Sequence, residues 1–520
     1  MTLLSLQSVT AGYGSLPVLK DVSLEMEKGQ ILALVGESGS GKSTVMKSIA
    51  GLPSFGVSVM KGSIRFDGKD MIALSPEQRR RILGEDLCMI FQNPTTSMNR
   101  IRKIRNQFLE SYRSHRNGGD EEALQQVRTT FQKLGLADTD RILDSCPFEL
   151  SGGMCQRVAI ALAMVMEPKL LLADEPTSAL DVVSQQQVLE EMLLLRERFG
   201  TSVLLVTHNI AAAARVADRL VILHDGCIEE AGAKDALIAS PQKEYTKLLL
   251  NNVPRLCRTE RRREKTEVLL QVSGIEKTYL KNGVRVRAVE NVSLALEKGE
   301  ILGIVGESGS GKSTLARQIL RLEKPSRGQI TVCGKDIARL KKKDVKGLYQ
   351  AEQIIFQNPE TSFNPRMRIR ESIRDTLRNL AGIRSKPQIE EKIDELMRDV
   401  GLAPELANRY PFQLSGGQCQ RAAIARALAA SPQLLICDEA TSALDVTVQA
   451  GIVSLLRSLA RGRGMSMIFI SHDLALVSTL CDRVVVMKDG RCIEQGTAAD
   501  IVAHPKQEYT KLLLRSASFR

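Results

Sequence analysis

The chain has 520 residues, 43% hydrophobic and 25% charged, which is near the globular average and excludes a disordered or fibrous chain; at roughly 100–200 residues per domain it holds three or four domains, or two large ones. Lys and Arg number 72 against 60 Asp and Glu, a net charge of +12 that suits a phosphate-bearing ligand, an anionic membrane surface or nucleic acid. No apolar run approaches the roughly 18 residues of a membrane span, MTLLSLQSVTAGYG is not a secretion signal, and ten cysteines without a C-x-x-C pair fit neither a disulfide scaffold nor a zinc ribbon, so a reducing cytosol is expected.

Taken in chain order, the first strand-to-helix unit is ILALV from Ile31, then Gly36-Glu-Ser-Gly-Ser-Gly-Lys42-Ser43 and a helix from Lys42. This matches G-x-x-x-x-G-K-[ST]. Glycines at such spacing turn successive backbone N–H groups around a polyphosphate at a helix N-terminus, the lysine bridges terminal phosphates and the hydroxyl binds Mg²⁺. Gly36, Ser38, Gly39, Ser40, Gly41, Lys42, Ser43 and Thr44 are therefore candidate nucleotide contacts. Further on, LLLADEP (Leu170 to Pro176) is an apolar strand ending in two acids. Asp174 is placed to hold the Mg²⁺ water shell and Glu175 to polarise an attacking water. SVLLVTH from Ser202 ends in His208. EYTKLLL from Glu244 reads as a helix opened by Ser240 as N-cap with Pro241 at its first position. The segment Asn251 to Glu267, with Pro254, Arg258 and Arg261 to Arg263, reads as an exposed basic linker.

The phosphate loop, the acid-ended strand, the histidine-ended strand and the closing helix then recur. Gly36 to Ser43 returns as Gly306 to Ser313, an offset of 270; FQNP from Phe91 returns at Phe356 (265), LSGG from Leu150 at Leu414 (264), and EYTKLLL at Glu508 (264). The chain is one domain of about 250 residues written twice, which divides it into 1–250, a linker 251–267 and 268–520. Strand and helical runs alternate in each copy, so each is an α/β domain with a mostly parallel sheet. The second copy supplies Gly306, Ser308, Gly309, Ser310, Gly311, Lys312, Ser313 and Thr314, with Asp438 and Glu439 in LLICDEA and His472 after IFIS. Of five histidines only His208 and His472 share the repeat offset, which points both to a γ-phosphate contact.

LSGGMCQR (Leu150 to Arg157) and LSGGQCQR (Leu414 to Arg421) add a more specific signature, and with it the chain resembles a tandem ATP-binding cassette ATPase along nearly its whole length. The resemblance implies two P-loop ABC-type ATPase domains, each a RecA-like mixed sheet core with a helical subdomain. Two ATP molecules would lie head to tail between the paired domains. Ser151, Gly152 and Gly153, and likewise Ser415, Gly416 and Gly417, would open a helix whose N–H groups face the γ-phosphate bound on the opposite domain. It further implies adenine stacking on Tyr13 and Tyr279, sensing of Mg²⁺ and the lytic water by Gln92 and Gln357, and loops at Asp181 and Asp445 that cross the interface. Both copies carry the full set. Met154 stands where Gln418 does, and Pro176 where Ala440 does.

The short linker, without a long charged helix, large insertions or zinc cysteines, favours a transport motor over a ribosome- or DNA-associated tandem cassette, so no nucleic-acid partner is expected. FQNPTTSMN, FQNPETSFNP, CPFELSGG, YPFQLSGG and the EYTKLLL ends resemble the ATP-binding subunits of dipeptide, oligopeptide and nickel importers, here two subunit types fused. That resemblance implies two integral-membrane permease subunits, an extracytoplasmic solute-binding protein and a place on the cytoplasmic face of a prokaryotic cell membrane. A peptide is the first choice of cargo and nickel or a metal chelate the alternative. Phe91, Met98, Phe356 and Phe363 are either permease contacts or helical-subdomain core. Relatives with an iron–sulfur cluster carry several clustered cysteines after the first copy; only Cys257 stands here, so no cluster is expected. Cys155 and Cys419 read as small buried hydrophobes.

Overall fold

Ile31–Val35 and Ile301–Val305 are buried at every position, as a strand covered on both faces must be. In the computed structural model, which describes all residues except 92–97, 151, 179, 258–265, 282–283, 443 and 518–520, each is a central strand of a six-stranded sheet. The first sheet runs Cys227–Ala233, Arg219–His224, Ile31–Val35, Ser202–Thr207, Leu170–Asp174, Leu87–Ile90. All its pairings are parallel except that of the edge hairpin Arg219–His224 with Cys227–Ala233. The second sheet repeats this order from Arg491–Thr497 to Glu352–Ile355. Parallel pairing brings Val35, Asp174 and Thr207 to one edge, where the chain leaves each strand toward a helix; this is where an open α/β sheet binds its ligand.

Side chains alternate across the strand, so one strand feeds two cores. Ile31, Ala33 and Val35 pack toward the helices that follow the sheet. Leu32 and Leu34 pack against a four-stranded antiparallel sheet that includes Thr2–Tyr13, Leu16–Glu27 and Val57–Phe66. The helical subdomain of the first half comprises Ile104–His115, Asp120–Lys133, Thr139–Asp144 and Gly152–Met164, and that of the second Ile369–Asn379, Lys386–Asp399 and Gly416–Leu428. Met98 and Phe363 are buried here as core, Phe363 beneath the Arg426 guanidinium, whereas Phe91 and Phe356 remain exposed. Cys155 and Cys419 are buried.

One boundary departs from the sequence reading. The closing helix of the first half runs Glu244–Asn251 with Lys243 as N-cap, and Ser240 ends the preceding helix Lys234–Ala239. Glu230 is the cause: its carboxylate accepts from the N–H groups of Gln242 and Lys243 at 2.9 and 3.2 Å, which holds that stretch outside the helix. Glu494 does the same for Lys506 and Gln507 before the second closing helix, Glu508–Ala517.

The closing helices cross between halves. Glu244–Asn251 packs on Val446–Arg463 of the second half, and Glu508–Ala517 on Val182–Phe199 of the first. Val446 joins the core of the first half, and Val183 and Leu256 pack on that of the second. Ser516 Oγ donates to Gln186 Oε1 at 2.6 Å, Arg215 donates to the Ser516 carbonyl, and Cys257 N–H donates to Ser478 Oγ.

Candidate functional site

The phosphate loops keep glycine where a side chain has no room. A Cβ on Gly36 would lie 2.2 Å from the Leu223 carbonyl oxygen, and one on Gly306 equally close to that of Met487. Gly41 and Gly311 precede their helices at φ +103° and +96°, a conformation open to glycine. Neither helix has a side-chain cap, so its first N–H groups are left for a ligand at the positive end of the helix. Lys42 and Lys312 are buried, and each Nζ donates to carbonyls of its own loop, Gly36 and Glu37 or Gly306 and Glu307, at 2.8 and 2.6 Å. Burial lowers the pKa of both lysines, opposed by nearby carboxylates. Ser40 Oγ is buried without a hydrogen-bond partner, and a Cβ on Gly39 would meet nothing within 4 Å. A loop with spare donors facing open space fits a polyphosphate.

Asp174 and Asp438 end their strands, where Ser43 and Ser313 donate to them at 3.2 and 2.9 Å. Burial raises the pKa of both aspartates against these hydroxyl bonds. A hydroxyl beside a carboxylate is a donor set suited to a hard divalent cation such as Mg²⁺. Glu175 and Glu439 follow in left-handed backbone conformations, φ +46° and +48°, strain of a kind that concentrates at functional sites. Their N–H groups donate to Val206 and Ile470, and the Ser178 and Ser442 hydroxyls close the turns on their carbonyls.

Both glutamates have partners among the described residues. In the first half Nδ1 of His208 lies 3.1 Å from Glu175 Oε2. Burial works against ionisation of Glu175, but the His208 hydrogen bond and the charges of His208 and Lys42 outweigh it and keep the carboxyl below its usual range. In the second half Gln357 Nε2 donates to Glu439 Oε2 at 2.9 Å, while Lys312 Nζ and His472 Nδ1 stand 4.0 Å away. Gln92 lies outside the described residues.

A cavity of about 630 Å³ joins the two centres. Tyr13, the first phosphate loop, Glu175, Asp181 and His208 line it from one half, and Ser308, Gln357, Glu439, Asp445 and His472 from the other. Asp181 and Asp445 cap the helices Val182–Phe199 and Val446–Arg463, and each acts across the interface. The charge of Asp445 bears on Lys42, and that of Asp181 on Lys312 and Glu307. Tyr279 is exposed, with its hydroxyl on Glu323, and does not line the cavity. Neither do the signature residues Gly152, Gly153, Ser415, Gly416 and Gly417. Ser415 Oγ instead accepts from Gln418 N–H, and Gln418 Oε1 accepts from Ser415 N–H. Ser151 lies outside the described residues.

Sequence reasoning missed several lining residues, Val18, Ser178, Gln185, Asn209 and Ser442 among them. Ser178 and Ser442 sit at the repeat offset of 264, which is the signal that could have found them. It also missed Tyr245 and Tyr509: the motif EYTKLLL was legible, but not that its tyrosine reaches the phosphate loop.

The ABC transporter family model matches residues 19–178 and again 289–442, together more than half of the chain. The chain belongs to the ABC transporter family. A second model, the C-terminal region of oligopeptide/dipeptide transporters, matches residues 229–274. This ABC protein is 39% identical to an uncharacterized ABC transporter ATP-binding protein, YejF, of Escherichia coli (strain K12), over 99% of both chains. It is also 39% identical to the peptidoglycan transport ATP-binding protein YejF of Agrobacterium fabrum, over 99% of this chain and 96% of the relative. The glutathione import ATP-binding protein GsiA of Salmonella typhimurium is 38% identical over 95% of this chain and 86% of its own. As an ABC ATPase the chain binds and hydrolyses ATP, and among the described residues no helix is long and apolar enough to cross a membrane.

Proposed function

We propose that this chain is the ATP-hydrolysing subunit of a peptide importer, acting at the cytoplasmic face of a prokaryotic cell membrane with two permease subunits and an extracytoplasmic solute-binding protein. The observation that carries the reading is the oligopeptide/dipeptide transporter match at residues 229–274. A region described as C-terminal lies mid-chain here, across the junction of the two cassettes, where it belongs if two subunits have been joined. Relatives named for peptidoglycan transport and glutathione import point to the same class of cargo. We place the cassettes at 1–250 and 268–520 with a linker at 251–267.

Each centre has the parts for attack of water on the γ-phosphate. Lys42 and Lys312, with the open N–H groups of their loops, bind the phosphates; Ser43 with Asp174, and Ser313 with Asp438, hold Mg²⁺, which when bound offsets phosphate charge. Glu175 and Glu439 accept the proton of the attacking water, and His208, His472, Gln92 and Gln357 orient water and phosphate. Tyr13 and Tyr279 stack on the base. The signature residues Ser151 to Gly153 and Ser415 to Gly417 close on the nucleotide of the opposite half, which requires them to move onto a cavity already reached by Asp181 and Asp445. Phe91 borders an apolar groove lined also by Phe55, Leu83, Cys88 and Leu162, a seat for a permease helix.

Two measurements test this reading. Glu175→Gln combined with Glu439→Gln is expected to retain ATP binding while phosphate release falls by at least about 100-fold, since general-base catalysis contributes on that order; unchanged turnover overturns the bases. Tagged chain drawn from detergent-solubilised membranes with ATP is expected to bring two permeases, whose solute-binding protein takes peptides. Recovery with ribosomes or DNA alone overturns the importer, and a binding protein specific for a metal chelate overturns the cargo.

A further inference from the structure

Each closing helix has two sides. On one it packs on the other half, Glu244–Asn251 on Val446–Arg463 and Glu508–Ala517 on Val182–Phe199. On the other, its second residue reaches the phosphate loop of its own half: the N–H of Glu37 donates to the Tyr245 hydroxyl at 3.2 Å, and that of Glu307 to the Tyr509 hydroxyl at 2.9 Å. Glu37 and Glu307 directly follow the first glycine of each loop, and their carbonyls receive Lys42 and Lys312. The tyrosine thus holds a peptide group, Gly36–Glu37 or Gly306–Glu307, whose own carbonyl accepts from the loop lysine.

The rings are seated as firmly as the hydroxyls. His224 stacks on Tyr245 with centroids 3.9 Å apart, and Lys488 lies 4.9 Å over the Tyr509 ring. The charge of Asp445 bears on Tyr245 and that of Asp181 on Tyr509. Burial pushes the Tyr245 phenol up to about 12, so it keeps its proton while accepting from the loop. The far end of the second closing helix is fixed by the first half, where Arg215 donates to the Arg515 and Ser516 carbonyls.

We propose that Tyr245 and Tyr509 are positioning residues, each hydroxyl tying a phosphate loop to a helix seated on the opposite half, so that the packing of the halves sets ATP affinity. Neither touches the reacting atoms; they act through Glu37 and Glu307. A hydrogen bond tying a rigid strut to a loop transmits displacement in both directions, so ATP binding must reciprocally tighten the seating of the helix.

The test uses the full chain. Tyr245→Phe with Tyr509→Phe keeps the rings, and it is expected to raise the KM for ATP about fivefold, the worth of one hydrogen bond, with kcat within about twofold. Arg215→Ala, distant from the nucleotide, is expected to raise KM alone but to add nothing in the Tyr509→Phe background, because the link is already cut. Unchanged KM in the double Phe variant overturns the proposal. So do effects of Arg215→Ala and Tyr509→Phe that simply multiply, since packing and loop would then be independent. Should the double Phe variant not fold, Arg215→Ala and the single Tyr509→Phe complete the cycle alone.

Discussion

Glu352 opens an edge strand with both carboxylate oxygens buried and without a hydrogen-bond partner, in the position that Leu87 fills in the first half. Burial alone pushes its carboxyl up to about 8. The folded chain therefore keeps Glu352 neutral at pH values where the unfolded chain has ionised it. Stability from this group is intact below about 4.5 and falls as pH rises toward 8, with a limiting slope of about 1.4 kcal/mol per pH unit. Glu352→Leu is expected to raise the melting temperature, and the gain is expected to widen from pH 5 to pH 8; a gain independent of pH would show that ionisation is not the cause. At this scale the sequence was most legible where chemistry repeats: Lys42, Asp174, Glu175 and His208 all fall at the sheet edge that their spacing implied. It was silent on how closely His208 approaches Glu175, because that distance is set by loop positions that spacing along the chain does not carry.

Among the elements, the central strands show how two copies of one fold keep the same packing with different volumes. In the second half a Cβ on Gly303 would lie 2.3 Å from Val477 Cγ1 and 3.0 Å from Cys481 Sγ. The first half has Ala33 in that strand and Ala213 and Ala217 in the helix, all buried. The bulk removed from the helix reappears on the strand. Gly303→Ala is expected to destabilise the chain by about 1–3 kcal/mol through overpacking, and Val477→Ala in that background is expected to restore most of the loss. Urea unfolding of the two singles and the double measures this; additive losses would mean the two positions do not share one space. The exchange was present in the sequence but unreadable without knowing which helix face meets the strand. The start of the closing helix was misread for a related reason: Ser240-Pro241 is a sound local signal, yet Glu230, distant in sequence, takes the N–H groups that would have begun the helix.

For the whole molecule, the repeat made two cassettes legible, and EYTKLLL made a closing helix legible in each without saying what it covers. Leu249 and Leu250 join the core of the first half and Leu513 and Leu514 that of the second, Val446 and Val183 carry each core across to the other half, and the proposed bases Glu175 and Glu439 line one cavity. Such sites are not insulated: Asp445 bears on Lys42 and Asp181 on Lys312. A change of charge or position at Asp445 or Asp181 is therefore expected to reach the opposite centre. If the centres worked independently, Glu175→Gln alone would leave half the turnover of the parent chain. With coupling of the usual size, several-fold or more, the single substitution is expected to leave less than about one fifth. Glu439→Gln alone is expected to do likewise. Steady-state phosphate release from the two single variants decides it, since a residue near one half in both would assign the two centres to separate cycles despite their common cavity.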